Sequence, residues 1–119
     1  MKGYIDLYLL PLPKKNLAKY KGQAVRFGKM AREFGALDYR EFVGNDLFPK
    51  GVVSFTKALK VKPGEILITS VVSFKSKSHR DQVMKKMFKD PRMEEMMQEE
   101  PLTDMKKMFY GGFETIVEV

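Results

Sequence analysis

From Ile66 to Phe74 the chain is an almost unbroken series of Ile, Leu, Val, Thr and Ser, set off by the turn composition Lys62-Pro63-Gly64-Glu65. A run this short and this rich in β-branched residues reads as a central strand covered on both faces. It constrains everything else, because such a strand needs neighbours on two sides and a layer above and below.

The neighbours are legible. Gly3 to Leu10 alternates, with Ile5, Leu7 and Leu9 on one side and Tyr4, Asp6 and Tyr8 on the other, the mark of a strand between two environments. Pro11 and Pro13 are expected to end it. From Asn16, the residues Leu17, Tyr20, Ala24, Phe27, Ala31 and Phe34 recur at helical spacing up to Gly35, which suits the left-handed position after a helix. A second strand is expected over 36–43, ending at Gly44-Asn45-Asp46, and Val52 to Phe55 in the long connector is read as a short extra strand. Ser78 with Asp81 has the form of a capping box ahead of an apolar stripe, Val83, Met84, Met87 and Phe88. Asp90-Pro91 then restarts a short helix, with Asp90 as cap and Pro91 in its first turn, and a last strand covers about 109–119.

Strand, helix, strand, strand, helix, strand is the ferredoxin-like βαββαβ order, an α+β fold with an antiparallel sheet and both long helices on one face. All 119 residues are expected to form one domain, with no internal repeat. The other sheet face is left bare, and the strand registers assign to it Tyr4, Tyr8, Phe42, Tyr110 and Ile116. An apolar patch of that size calls for a cover, and a second copy packed sheet to sheet is the simplest one.

The chain has no cysteine, which excludes disulfides, thiolate metal sites and thiol nucleophiles, and fits a cytoplasmic location. The apolar start is too short for a membrane span and lacks a cleavage site, so no membrane association is expected. A formal charge of +7 raises nucleic acid as a partner. The basic residues cluster in the two helical segments, so any such binding would be nonspecific and salt-dependent. The aromatic sheet box of RNA-recognition modules is not reproduced by Tyr110-Gly111-Gly112-Phe113, which opens a terminal strand.

Tyr4-Ile5-Asp6, Phe34-Gly35-Ala36-Leu37, Glu41 before Gly44, Ser54-Phe55, Asp90-Pro91-Arg92-Met93 and the stretch from Met108 to Glu114 together resemble the YbaA-like family of uncharacterised bacterial proteins, nearly end to end. The resemblance implies a dimeric α+β barrel, in which two ferredoxin-like subunits close their sheets around a shared interior. It carries no activity with it, since fold does not imply function. Members often have tryptophan near the end of the second strand and in the third. Here Val43, Val71 and Phe74 stand in that neighbourhood and the chain has no Trp, so no indole chemistry is implied.

No residue set announces a reaction. Asp6, Arg40 and Glu114 are assigned the same strand parity as Tyr4, Tyr8 and Tyr110, and so are candidates for an acid, a base and ligand contacts in the space between two sheets. The bland reading makes them polar pairs at a subunit interface. His79, the sole histidine, sits at a helix start with no second His or Cys to complete a metal site, and the Glu94, Glu95, Glu99 and Glu100 group reads as a solvated face, so no metal and no built-in cofactor are expected. Met84, Met87, Met93, Met96, Met97, Met105 and Met108 have the spacing of core or interface filling, and the same pliable side chains suit a binding surface. The leading expectation is a homodimer enclosing a small organic molecule. The alternative is a noncatalytic dimer that binds RNA or protein through its basic helix faces.

Overall fold

A computed structural model describes residues 3–119. Four strands, β1 (Tyr4–Pro13), β2 (Asp38–Val43), β3 (Glu65–Phe74) and β4 (Phe109–Glu114), form one antiparallel sheet in the order β2-β3-β1-β4. Helix α1 (Leu17–Glu33) connects β1 to β2, a single turn α2 (Phe55–Ala58) lies in the long connector, and α3 (Lys77–Lys89) and α4 (Pro91–Met97) precede β4. This is the ferredoxin-like arrangement, with α1 and α3 on one face of the sheet. No helix among the described residues is long and apolar enough to cross a membrane.

β3 is central, as its composition requires. β1 runs three residues past its expected end, through both prolines. Its far side loses β4 after Leu9, so an N–H at Pro11 or Pro13 would have no strand to bond there. The Pro11 carbonyl is taken instead by the Thr103 hydroxyl at 2.5 Å. α1 ends as expected, with Gly35 at φ +117. β4 stops at Glu114 because its partner β1 begins at Tyr4.

Two local expectations are corrected. Residues Val52 and Val53 form no strand, and Ser54 caps α2 instead, accepting from the Lys57 N–H at 3.3 Å. The cap of α3 is Ser76, whose Oγ accepts from the His79 N–H at 3.1 Å, so Ser78 and Asp81 lie inside the helix. The Asp90 cap, accepting from the Arg92 N–H at 2.8 Å, and the Pro91 start of α4 are as expected.

The face assignment is also corrected. In the observed registers Tyr4, Asp6, Tyr8, Leu10 and Leu12 stand beside Phe74, Val72, Ser70, Ile68 and Ile66, and these rows face the helices. Tyr110 and Glu114 join them on β4, while Tyr39 and Glu41 join on β2. The bare face therefore carries Ile5, Leu7, Leu9, Val71, Phe42, Phe109 and Phe113. Of the residues assigned to it from sequence only Phe42 belongs there, and Ile116 lies beyond the sheet. The core beneath the helices is Met30, Ala31, Ala36, Val72, Phe74, Val83, Met87 and Met93, with a second cluster of Leu10, Leu12, Ile68 and Leu102 at the far end.

Candidate functional site

Because Tyr4, Asp6, Tyr8, Tyr110 and Glu114 project toward the helices, they do not meet in a space between two sheets. Arg40 is the exception in parity. It opposes Val71 on the bare face, with its guanidinium 4.9 Å from the centre of the Phe42 ring. Glu114 is exposed at the end of the sheet opposite Tyr4. The sequence-derived set thus divides, and only Asp6, Tyr4, Tyr8 and Tyr110 form a cluster.

That cluster is completed by Arg80. It stands on α3 one turn before Val83 and Met84 and so faces the sheet. Its NH1 donates to Asp6 Oδ1 at 2.6 Å and to the Tyr110 hydroxyl at 2.6 Å, and its guanidinium lies over the Tyr4 ring. Tyr110 in turn donates to Asp6 Oδ1 at 3.1 Å, and its ring packs on Tyr8 with centroids 4.7 Å apart. Gly112 makes this possible, since a Cβ there would run into the Tyr4 phenol. Asp6 is only 1% exposed, and its Oδ2 has no hydrogen-bond partner among the described residues.

Burial pushes the Asp6 carboxyl above its ordinary value of 3.8, and the Arg80 charge and the hydrogen bonds from Tyr110 and Arg80 oppose this without cancelling it. A carboxyl that binds its proton more tightly when folded favours the folded state below the unfolded pKa, and that contribution is lost as pH rises through the folded pKa. The stability of the wild type relative to Asp6→Asn is therefore expected to fall with rising pH above 3.8, by at most about 1.4 kcal/mol per pH unit. Urea titrations of both proteins at several pH values measure the slope. A rising slope would show that the ion pair with Arg80 outweighs burial.

A second polar group, which the sequence did not single out, lies across the sheet. Tyr20 on α1 donates to Glu41 Oε1 at 2.5 Å, and Tyr39 donates to Glu41 Oε2. Ser70, only 4% exposed, stands opposite Glu41 in register. Burial is the first cause raising the Tyr20 and Tyr39 phenols well above their ordinary 10, reinforced by their bonds to Glu41, and both stay protonated at neutral pH. The signal for this group was the β2 parity, Tyr39 and Glu41 together, meeting Tyr20 on the apolar stripe of α1.

The Glu41 group and, from the Asp6 cluster, Tyr8 line a cavity of about 380 Å³ between the sheet and the helices. Tyr8, Tyr20, Tyr39, Glu41 and Ser70 supply its polar wall. Gln23 adds an amide, and Leu10, Ala24, Phe27, Phe88 and Met84, Met93, Met96, Met97, Met105 and Met108 supply the rest. The methionines thus collect around one space, as well as filling core. Among the described residues, no group of three or more His, Asp or Glu side chains converges in a way that would hold a metal ion. His79 is occupied locally, its Nδ1 accepting from the Lys75 N–H at 3.0 Å and its ring set edge-on to Phe74.

Tyr39 keeps its place through Gly28. A Cβ on that helical glycine would lie 2.6 Å from Tyr39 Cδ1 and 3.0 Å from its Cγ, so the ring would have to leave. Gly28→Ala gains about 1 kcal/mol of helix propensity but overpacks by about 1–3 kcal/mol. It is expected to lower the urea midpoint modestly and to break the Tyr39–Glu41 bond. A midpoint at or above the wild-type value would show that the ring moves freely.

Comparison with known proteins shows the family and the fold. Residues 3–104 match the family described as protein of unknown function DUF1428. The chain is 34% identical over 115 residues to the uncharacterized protein YbaA of Escherichia coli K12, covering 97% of each, and has the same identity and coverage with YbaA of Shigella flexneri. A solved structure described as a dimeric ferredoxin-like protein from an uncultured marine organism is similar over 100% of both chains, with a TM-score of 0.56 at 9% identity, which shows the fold. A family match over most of the chain, with 34% identity to a relative over 97% of it, settles kinship: the chain belongs to the DUF1428 family of proteins of unknown function and is YbaA-like.

Proposed function

We propose that the protein is a homodimer that binds a small, largely apolar organic molecule carrying a hydrogen-bond donor. The observation that carries the ligand reading is the methionine-lined cavity of about 380 Å³ with Glu41, Tyr20 and Tyr39 at its wall. Its size is that of small-molecule sites, apolar with a few convergent polar groups. Both phenols spend their protons on Glu41, so the carboxylate and the phenolic oxygens offer acceptors to a hydroxyl or amine of the ligand. The thioethers adapt to its apolar body. Glu41 takes the place of Arg40 and Glu114 as the candidate polar contact in this reading, and Tyr8 stays from the original set.

The dimer reading rests on the bare sheet face, whose Phe109 and Phe113 are 52% and 54% exposed. Soluble chains seldom leave such a continuous apolar face in water. The molecule measures 39 × 38 × 20 Å, and its radius of gyration of 15.3 Å exceeds the about 13.5 Å usual for a compact chain of this length. A flat two-layer body with one dry and one bare face suits a half-assembly, and a protein of similar fold is described as dimeric.

Native mass spectrometry of the purified protein tests both parts. The expected spectrum is a dimer carrying an added small mass, which is lost in Glu41→Gln and in Ala24→Phe, the latter filling the cavity. An empty dimer that retards RNA at low salt would move the role to the basic helix faces.

A further inference from the structure

One row of the sheet crosses the floor of the cavity. Glu41 on β2, Ser70 on β3 and Tyr8 on β1 stand side by side in register, all on the helix side, and Tyr110 on β4 ends the row. The Glu41 and Tyr8 backbones are two strand spacings apart, about 9.6 Å. At the Glu41 end the phenolic protons are already committed, since Tyr20 and Tyr39 both donate to its carboxylate. The amide of Gln23 nearby donates to Glu99 at 3.2 Å. What the Glu41 end offers a ligand is acceptors.

The Tyr8 end has the opposite character. Its ring is held against Tyr110, whose proton goes to Asp6 and whose oxygen accepts from Arg80, so these bonds close among the members of the Asp6 group. The Tyr8 carbonyl accepts from the Thr69 hydroxyl at 3.0 Å. Its own hydroxyl has no hydrogen-bond partner among the described residues, and Tyr8 lines the cavity. Polar groups withdrawn from water are seldom left without a partner, so a free phenol at the wall of an apolar space is placed for an acceptor. Burial, then the nearby Asp6 and Tyr110, holds this phenol well above its ordinary 10 against the Arg80 charge, and at neutral pH it keeps its proton.

We infer that the molecule held in this cavity, on the reading of it as a small-molecule site, is aromatic with two unlike polar ends: a hydroxyl that donates to Glu41 and, at the opposite position of the ring, a carbonyl oxygen that accepts from Tyr8. The row sets the length, since the gap between the two strands suits one six-membered ring with a polar atom at each end. Phe27 and the thioethers of Met84, Met93 and Met96 favour an aromatic body over an aliphatic one. Turned end for end, the ligand would set its carbonyl against the Glu41 carboxylate, acceptor against acceptor, and this fixes its orientation.

Isothermal titration calorimetry of the full chain with para-hydroxyacetophenone, para-ethylphenol and acetophenone tests the assignment, because the second probe lacks the carbonyl and the third the hydroxyl. The wild type is expected to bind para-hydroxyacetophenone tightest. Tyr8→Phe keeps the ring on Tyr110 and is expected to weaken that probe about fivefold, with para-ethylphenol unchanged. Glu41→Gln is expected to weaken both phenols and leave acetophenone as it was. In infrared difference spectra the carbonyl stretch of bound para-hydroxyacetophenone should lie lower in the wild type than in Tyr8→Phe, a shift that lost packing alone does not produce. Equal affinity of the wild type and Tyr8→Phe for that probe, or an equal loss for all three, overturns the two-ended ligand and leaves the cavity standing as a binding site. Failure of all three to bind overturns it as well, and the native mass spectrum then shows separately whether the cavity holds a molecule of another kind.

Discussion

Leu7→Asp is expected to turn the dimer into a monomer at micromolar concentration while leaving the subunit folded. Leu7 lies in the middle of the bare face, flanked in register by Val71 and Gly111. In a lone subunit that position meets water, and a carboxylate there costs little beyond strand propensity. In the dimer each interface would bury two such charges, and the cation that shares the face, Arg40, stands beyond Val71 and over the Phe42 ring. Even after partial relief this amounts to about 3 kcal/mol or more, a weakening of at least about 100-fold. Sedimentation equilibrium measures the effect, with Lys85→Asp on the outer side of α3 as the control that stays dimeric. Wild-type association by Leu7→Asp would remove the bare face as the interface.

Phe74→Ala is the substitution expected to damage the fold most. Phe74 is 1% exposed, closes the end of β3 opposite Tyr4, and packs in one cluster with Met30, Val83 and Met87. Removing its ring forfeits burial and leaves a cavity that rigid neighbours on two helices do not fill, at a cost of about 3–5 kcal/mol. That is a large share of the roughly 5–15 kcal/mol that holds a domain together. Urea unfolding at fixed chain concentration reads it, since a dimer's apparent stability depends on concentration. Phe113→Ala, of the same chemistry on the bare face, should leave the stability of the isolated subunit nearly unchanged and weaken association instead. Equal losses in the two variants would mean that Phe113 also sits in a core.

The order of elements was readable because each carries a local signal: the β-branched run of β3, the stripe of α1 ending at Gly35, and Asp90-Pro91 at the start of α4. The faces were not, and β1 shows why. Its first half offers two amphipathic sides, one with Ile5, Leu7 and Leu9, the other with Tyr4, Asp6 and Tyr8. An acidic residue argues for the wetter side. Only Leu10, at the last expected position, and Leu12, beyond the expected proline stop, reveal that the Asp6 side continues into the core. Asp6 is tolerated there because Arg80 reaches it from 74 positions away in sequence, a partnership that no local pattern encodes. The same reversal carried Tyr4, Tyr8 and Tyr110 to the wrong side on paper. Arg40 was left opposite them in fact. Glu41 was missed because a lone carboxylate on an edge strand looks ordinary until Tyr20 and Tyr39 arrive from two elements.

The concentration of thioethers around one cavity also sets how the protein would age under oxidative stress. With no thiol to react first, hydrogen peroxide would act on Met97 and Met105, which are 68% and 63% exposed at the cavity wall. Each sulfoxide puts a chiral, strongly polar oxygen where an adaptable apolar surface stood. Repair by sulfoxide reductases would return that surface, so the recognition properties of this space are tied to the redox history of its surroundings.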